Sequence, residues 1–354
     1  MSLLKKPLLL LLLTMSAIVI YQVFSYTWFA YTPASNDLKT TETLFQVHPG
    51  HSPKKIAKTL YNKKIILNEN RFYWLGRFTS KWSQIKTGEY FINPEMTPLE
   101  LFQVLTSGVS VLHEVVIQEG LNMYQIADLL EKKGLGNKEL FISLCQDSRF
   151  IQSLGLDASI ETLEGYLFPE TYQFTKSLKE VEIIKIMFKQ FNLSWKSSYS
   201  KEIKKHEMSQ HQLITLASMI EKETGAPQER TLISSVFHNR LNKKMRLESD
   251  PTTIYGIWHR FNGNLTRKDL KEETPFNTYK IKSLPKGPIA NPGKEAIFAA
   301  LFPKKSDFLF FVSKNDGTHK FSKNYSDHLK AVKKFQLDPK KREGKSWRQL
   351  LNKD

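Results

Sequence analysis

A single cysteine, Cys145, stands in 354 residues, so intramolecular disulfides and cysteine-based metal sites are excluded and the redox compartment stays open. The 9 histidines are scattered, no H-E-x-x-H pair occurs, and His206 and His211 miss the i, i+4 spacing of two ligands on one helix face. Glycine loops of the form G-x-x-x-x-G-K-[ST] or G-x-G-x-x-G, which cradle phosphates, are missing, and so is the G-x-S-x-G elbow of serine hydrolases. No metal or cofactor is therefore expected. Acid–base work by carboxyl groups is the chemistry left. Acidic residues are themselves in deficit, 35 against 52 Lys and Arg, and the net charge of +17 draws the surface toward an anionic partner.

Nucleic acid, anionic lipid and an acidic wall polymer all fit that charge, and the first segment chooses among them. Lys5 and Lys6 precede an uncharged run from Pro7 to about Ala30, rich in leucine up to Leu13 and aromatic from Tyr21 to Phe29. About 20 apolar residues span a bilayer. The run continues through Ile18 to Val23 where a cleavable signal would end, so residues 1–31 read as a cytoplasmic N-terminus and uncleaved signal anchor. The paired lysines place the N-terminus in the cytoplasm and the rest outside, in the periplasm beyond a bacterial inner membrane. Nucleic acid is then not an expected partner; the cytoplasmic membrane is.

Residues 32–44 read as a polar linker with turn formers. An internal echo follows. Gly50 aligns with Gly120, Ile56-Ala57 with Ile126-Ala127, and Leu60 with Leu130; each copy predicts a strand, a glycine turn and an amphipathic helix opened by Ser52 or Asn122. Residues 45–136 are thus expected to form a small α+β region. The pattern is LysM-like, which suits carbohydrate, and it is equally a general way to stack a small core. Residues 137–334 predict a mixed α+β domain without a repeating βα rhythm, and 335–354 a basic tail. Within the larger domain, helices are expected over 178–199, 209–225, 229–241 and 296–302, and a hairpin from 308–313 and 318–322.

Two stretches carry candidate chemistry. From Leu163 to Phe174, aromatics, Glu164, Glu170, Gly165 and Pro169 crowd together, a mixture that suits a sugar site as well as an aromatic loop on the core. In residues 211–225, an apolar pattern through Leu213, Leu216, Met219 and Ile220 delivers Glu221 and Glu223 in the last turn, before Gly225 and Pro227. Carboxylates are disfavoured at the negative end of a helix. On a helical wheel Glu223 falls about 20° from Leu216, on the apolar stripe, and Glu221 roughly 200° from Glu223. Stripe and dipole both raise the pKa of Glu223, and a protonated glutamic acid near neutrality can protonate a glycosidic oxygen. A frayed, solvated helix end is the plain alternative.

Several motifs in fixed order resemble the YceG-like family of endolytic murein transglycosylases. They are Glu164-Gly165 with Pro169-Glu170-Thr171, the run Ala217 to Thr224 around Glu221-Lys222-Glu223, and Ser235 to Leu241. Then come Met245-Arg246-Leu247, Asp250-Pro251-Thr252, Ile254-Tyr255-Gly256, Tyr279, Gly287-Pro288-Ile289 and Asn291-Pro292-Gly293. Lys286, where a second proline is common, and His238, beside Asn239-Arg240, depart from the pattern without touching the acid. The resemblance implies that Glu223 is the catalytic acid/base and that peptidoglycan glycan strands are the substrate. It implies cleavage of the MurNAc–GlcNAc β-1,4 bond to 1,6-anhydro-MurNAc ends, and work beside peptidoglycan synthases, the penicillin-binding proteins. Glu164, Asp250, Tyr255, Asn277 and Asn291 are candidates to orient substrate, each with a loop-fixing role as its alternative. A non-catalytic wall-binding scaffold and a hydrolytic muramidase with paired carboxylates remain the competing readings.

Overall fold

The computed structural model describes residues 5–35, 41–198 and 206–338, a mixed α+β chain that divides into two compact units. The first comprises the chain to His113 together with 173–178; the second comprises 114–172 and the chain from Lys179 onward.

The first unit opens with α1 (Lys5–Ala30), of which Leu9–Ala30 is long and apolar enough to cross a membrane. Leu9 to Leu13, Ile18, Ile20 and Phe24 are exposed along it, as a lipid-facing helix requires, whereas Phe29 and Ala30 at its end enter the unit's core. After the linker come β1 (Thr43–Val47), α2 (Pro53–Asn62), α3 (Glu69–Phe78), β2 (Gly88–Ile92) and α4 (Pro98–Ser107). β1 and β2 pair antiparallel with Phe45 opposite Tyr90, and both side chains are buried. The rings of Phe72 and Phe102 stack at 4.4 Å, with Trp82 edge-on to Phe102. Gly76 permits this, since a Cβ there would come within 2.4 Å of the Phe102 ring.

The second unit takes up the chain within β3 (His113–Val116), then α5 (Met123–Lys132), α6 (Lys138–Cys145), α7 (Ser148–Ser153) and the first two residues of β4 (Thr171–Phe174). It continues through α8 (Glu180–Ser198), α9 (Gln210–Glu223), α10 (Arg230–Asn242), α11 (Asp250–Gly256), α12 (Arg267–Lys271) and α13 (Lys294–Leu301). The hairpin β5 (Phe310–Ser313) and β6 (His319–Ser322), with Val312 opposite Lys320, precedes α14 (Tyr325–Val332). These spans follow the expected helices and hairpin within a few residues. The basic tail lies outside the described residues from 339 on; its first residues close a π-helical turn, Lys333–Leu337.

The two glycine turns of the internal echo are built alike. Ser52 and Asn122 accept from the backbone of Lys55 and Gln125, and Gly50 and Gly120 take φ of 78° and 79°, a left-handed turn that favours glycine. The copies do not stay together, however. Contacts thin at His113/Glu114 rather than at the expected 136/137, because the second copy packs into the larger unit: Gly120 N–H donates to Asn291 O, and Asn291 N–H to Leu121 O.

α9 is the axis of the second unit. Ser209 and Gln212 form a capping box at its start, and every residue from Leu213 to Ile220 is buried. The expected one-sided stripe is therefore corrected: the helix is enclosed all round, and its polar members find partners within it. The Thr215 hydroxyl donates to His211 O, and the Ser218 hydroxyl donates to Thr215 O while accepting from Ile289 N–H. The helix stops at Glu223, two residues short of Gly225, because Thr224 leaves helical space at φ −90°, ψ 108°.

Candidate active site

The last turn of α9 sets its two glutamates in different surroundings. Glu221 is paired on both oxygens: Arg230 Nη2 lies 3.3 Å from Oε1 and Gly293 N–H donates to Oε2 at 3.0 Å. Its side chain is only 7 % exposed, so it is a buried supporting group rather than a solvated one. Lys222, between them, reaches the Gly120 carbonyl at 3.1 Å, and burial lowers its pKa.

Among the described residues, Glu223 has no cation paired with it as Arg230 is with Glu221. The buried Ser249 hydroxyl donates to its Oε1 at 2.6 Å. Burial raises the Glu223 pKa to about 7, the Ser249 hydrogen bond pulls it down, and the charge of Asp250 pushes it up. Glu223 as a whole residue is only partly buried. A carboxyl group that is protonated near neutrality can both give and take a proton.

Ser249 and Asp250 come from the start of α11, where Pro251 supplies a favourable first-turn residue. Asp250 is exposed, and the Tyr279 hydroxyl donates to its Oδ1 at 2.7 Å. The charges of Asp250 and Glu223 both raise the Tyr279 pKa, which burial raises first. Glu223, Ser249, Asp250 and Tyr279 thus form one constellation. Ser249 and Tyr279 were not among the candidates. Tyr279 lay in the motif run, but nothing in a serine between Glu248 and Asp250 signals an acid's partner.

The other candidates occupy the interior. Glu164 is fully buried; both its oxygens lie within reach of Met123 N–H, at 3.1 and 3.0 Å, and Oε1 accepts from Asn291 Nδ2 at 2.8 Å. Tyr255 also hydrogen-bonds to it, and burial raises its pKa to about 7. Asn291 Oδ1 accepts from Gly165 and Leu167 N–H, both at 2.9 Å, and Nδ2 also donates to Leu121 O. Gly165 stands at φ +86°, and a Cβ there would lie 2.6 Å from Pro288 and 2.7 Å from Ile214. Asn277 accepts from the Thr253 hydroxyl and Tyr279 N–H and donates to the carbonyl of Glu272. Glu164, Asn277 and Asn291 are thus spent on joining loops, and none of the three is exposed. Asn277 holds Tyr279 and α11 in register, while Glu164 and Asn291 tie the 163–168 loop to the second repeat turn. Tyr255 alone of the interior set also lines a cleft, together with Tyr124 and Trp258.

Among the described residues, no group of three or more His, Cys, Asp or Glu side chains is arranged to hold a metal ion.

Fold and site together define an α+β protein with a single carboxyl acid/base candidate at the end of a buried central helix. The chain belongs to the YceG-like family, whose model matches residues 45–334. It is 35 % identical over 332 residues to an endolytic murein transglycosylase of Bacillus subtilis, covering 90 % of this chain and 91 % of that one. A relative of the same name from Streptococcus pneumoniae is 28 % identical over 312 residues; the match spans 80 % of this chain and 56 % of the longer relative. The crystal structure of a YceG-like protein from Listeria monocytogenes superposes with a TM-score of 0.57 at 33 % identity, covering 82 % of this chain and 99 % of that one.

Proposed function

We propose that this chain is a membrane-anchored lytic transglycosylase that cuts within peptidoglycan glycan strands, with Glu223 as its acid and base. The observation that carries the reading is the Glu223 carboxyl at the end of α9, held by the Ser249 hydroxyl at 2.6 Å and raised by burial to about 7. The family membership and the relatives' shared name supply the substrate class.

In the first step Glu223 gives its proton to the oxygen of the MurNAc–GlcNAc β-1,4 bond, and the C1–O4 bond breaks with its electron pair leaving on the GlcNAc oxygen. The oxocarbenium-like C1 is stabilised by the muramyl acetamido group and by the negative field of Asp250. In the second step the ionised Glu223 takes the proton of the same sugar's 6-hydroxyl, and O6 closes on C1 to give a 1,6-anhydro ring. The proton returns to where it began and no water is consumed. One group with a pKa near neutrality serves both steps, since it is neither too weak an acid for the first nor too weak a base for the second.

The anchor reading places the N-terminus in the cytoplasm and the catalytic unit on the outer face of the cytoplasmic membrane, where nascent strands and their synthases are the partners within reach. Digestion of purified glycan strands, with products read by mass spectrometry, tests the activity. The wild type is expected to release anhydro-muramyl ends, and Glu223→Gln to fold normally and release none. Reducing ends would instead make the protein a hydrolytic muramidase. No cleavage by the wild type would leave a wall-binding scaffold.

A further inference from the structure

At the opposite end of α11 from Ser249 and Asp250, a cleft of about 610 Å³ opens within the second unit. Its walls are aromatic. Tyr124 of α5 and Trp258 lie nearly parallel, 15° apart at 6.2 Å, Tyr255 stands 6.3 Å from Tyr124, and Phe276 meets Tyr255 edge-on at 4.9 Å. Tyr124, Trp258 and Phe276 keep part of their surface exposed. Polar groups are interleaved with the rings. Gln146 reaches the Tyr124 hydroxyl at 3.4 Å, and Lys138 lies on the same wall, paired with Asp128 at 2.6 Å. Both lysine and carboxylate are already neutralised as a pair, so the cleft offers hydrogen bonds without a strong net field. Flat apolar faces beside neutral polar groups match a pyranose, whose C–H face stacks on rings while its rim hydroxyls and acetamido group seek donors and acceptors.

The position adds a second argument. From Asp250 to Tyr255 the helix rises only ~8 Å, at about 1.5 Å per residue. Asp250, next to the Ser249 that holds Glu223, and Tyr255, on the cleft wall, thus stand on one short helix. We propose that the Tyr124–Trp258 cleft is a second carbohydrate subsite, which holds N-acetylhexosamine rings of the strand being cut at a distance from the scissile bond. The proposal rests on the transglycosylase reading for its substrate. A ligand seated there orders the strand along α11, so that cleavage favours strands long enough to fill both places.

The probe is the soluble tetramer of N-acetylglucosamine, and the protein is the full chain in detergent. Oxidative footprinting read by mass spectrometry is expected to show Trp258 and Tyr124 protected by the tetramer and not by a free stem peptide. Trp258→Ala is expected to weaken tetramer binding about tenfold, equivalent to about 1.4 kcal/mol. It should also raise KM on glycan strands by a similar factor, with a smaller effect on kcat. Footprinting uses the native sequence and decides the matter even if the substitution disturbs folding. Unprotected Trp258 and Tyr124 in a protein that still makes anhydro ends overturns the subsite and leaves Glu223 in place. Protection by the tetramer alongside a Glu223→Gln variant that still cleaves leaves the subsite and removes the acid. Protection by the stem peptide instead assigns the cleft to peptide and overturns the proposal.

Discussion

The Ser249 hydroxyl donates to Oε1 of Glu223 over 2.6 Å, and it pulls this carboxyl's pKa down against burial and the charge of Asp250. That single hydrogen bond joins the end of α9 to the start of α11 and fixes which rotamer the acid presents. Glu221, two residues earlier, has a cation and a backbone N–H instead. The division of labour between the two glutamates follows from these partners.

Ser249→Ala removes a hydrogen bond to the ionised form of Glu223, worth about 1.5–3 kcal/mol in a buried setting. At about 1.4 kcal/mol per unit, the pKa of Glu223 is expected to rise by at least about one unit. The alkaline limb of the kcat/KM profile then moves to higher pH. At pH 6 kcat is expected to fall roughly tenfold, because the freed carboxyl loses its orientation and the base step its poise. A pH–rate profile of the variant checks both effects. An alkaline limb that stays where the wild type has it would separate Ser249 from the acid.

The raised pKa also links catalysis to stability. Glu223 titrates at about 7 in the folded chain against a reference of 4.5. Between these values the unfolded chain has lost its proton while the native one keeps it, so stability falls as pH rises from about 4.5 to about 7 and is level beyond. Glu223→Gln carries no such penalty. Relative to the wild type it is expected to be nearly equally stable near pH 4.5 and more stable, by on the order of 3 kcal/mol, at pH 8. Urea unfolding at the two pH values measures the difference. An equal gain at both would trace it to packing rather than to the proton.

Arg230 and Glu221 form a pair that is 15 % and 7 % exposed at its side chains. Breaking a largely buried pair by removing one partner costs about 3–5 kcal/mol, because the other charge is left without compensation. Arg230→Ala is expected to lower thermal stability by an amount in that range while cleavage at low temperature persists. Glu221→Gln keeps the acceptor for Gly293 N–H and should cost less. If either variant abolished cleavage while still folded, Glu221 would belong to the reaction itself.

Much of the fold could be read from residue pattern. The helix spans, the hairpin and the two repeat copies follow from apolar spacing, capping residues and glycine turns, which are local signals. Glu223 stood out for a local reason too, as an acid at the wrong end of an apolar helix. Two things were not legible. The burial of α9 on every side depends on α10, α11 and α13 surrounding it, and a wheel of its own residues shows only the strongest face. The bonds of Asn291 join residues more than a hundred positions apart, as when it meets Gly165, Leu167 and Glu164. An asparagine that fixes a loop and one that binds a sugar look the same in a sequence. Only the burial of its amide separates them.

Asn291 provides the sharpest test of that distinction. Its Oδ1 satisfies two backbone N–H groups and its Nδ2 faces the Glu164 carboxyl, whose pKa is about 7. Asn291→Asp preserves the shape and both acceptor bonds. Below the native pKa values the two carboxyls are neutral or share a proton, and the pair stays intact. As pH rises, two carboxylates in a fully buried site repel each other, and one must hold its proton far above its ordinary range. The unfolded chain releases both protons near pH 4, so stability falls with each pH unit above that until the buried pair ionises. Asn291→Asp is therefore expected to unfold close to the wild-type temperature at pH 4.5 and many degrees below it at pH 8, a loss of about 3 kcal/mol or more. Asn291→Ala, which orphans the Gly165 and Leu167 N–H groups at any pH, is expected to lose a similar amount with much less dependence on pH. Thermal unfolding of both variants across pH 4.5–8 tests the pair. A wild-type-like Asn291→Asp at pH 8 with cleavage impaired would move Asn291 from holding the loops to touching the substrate.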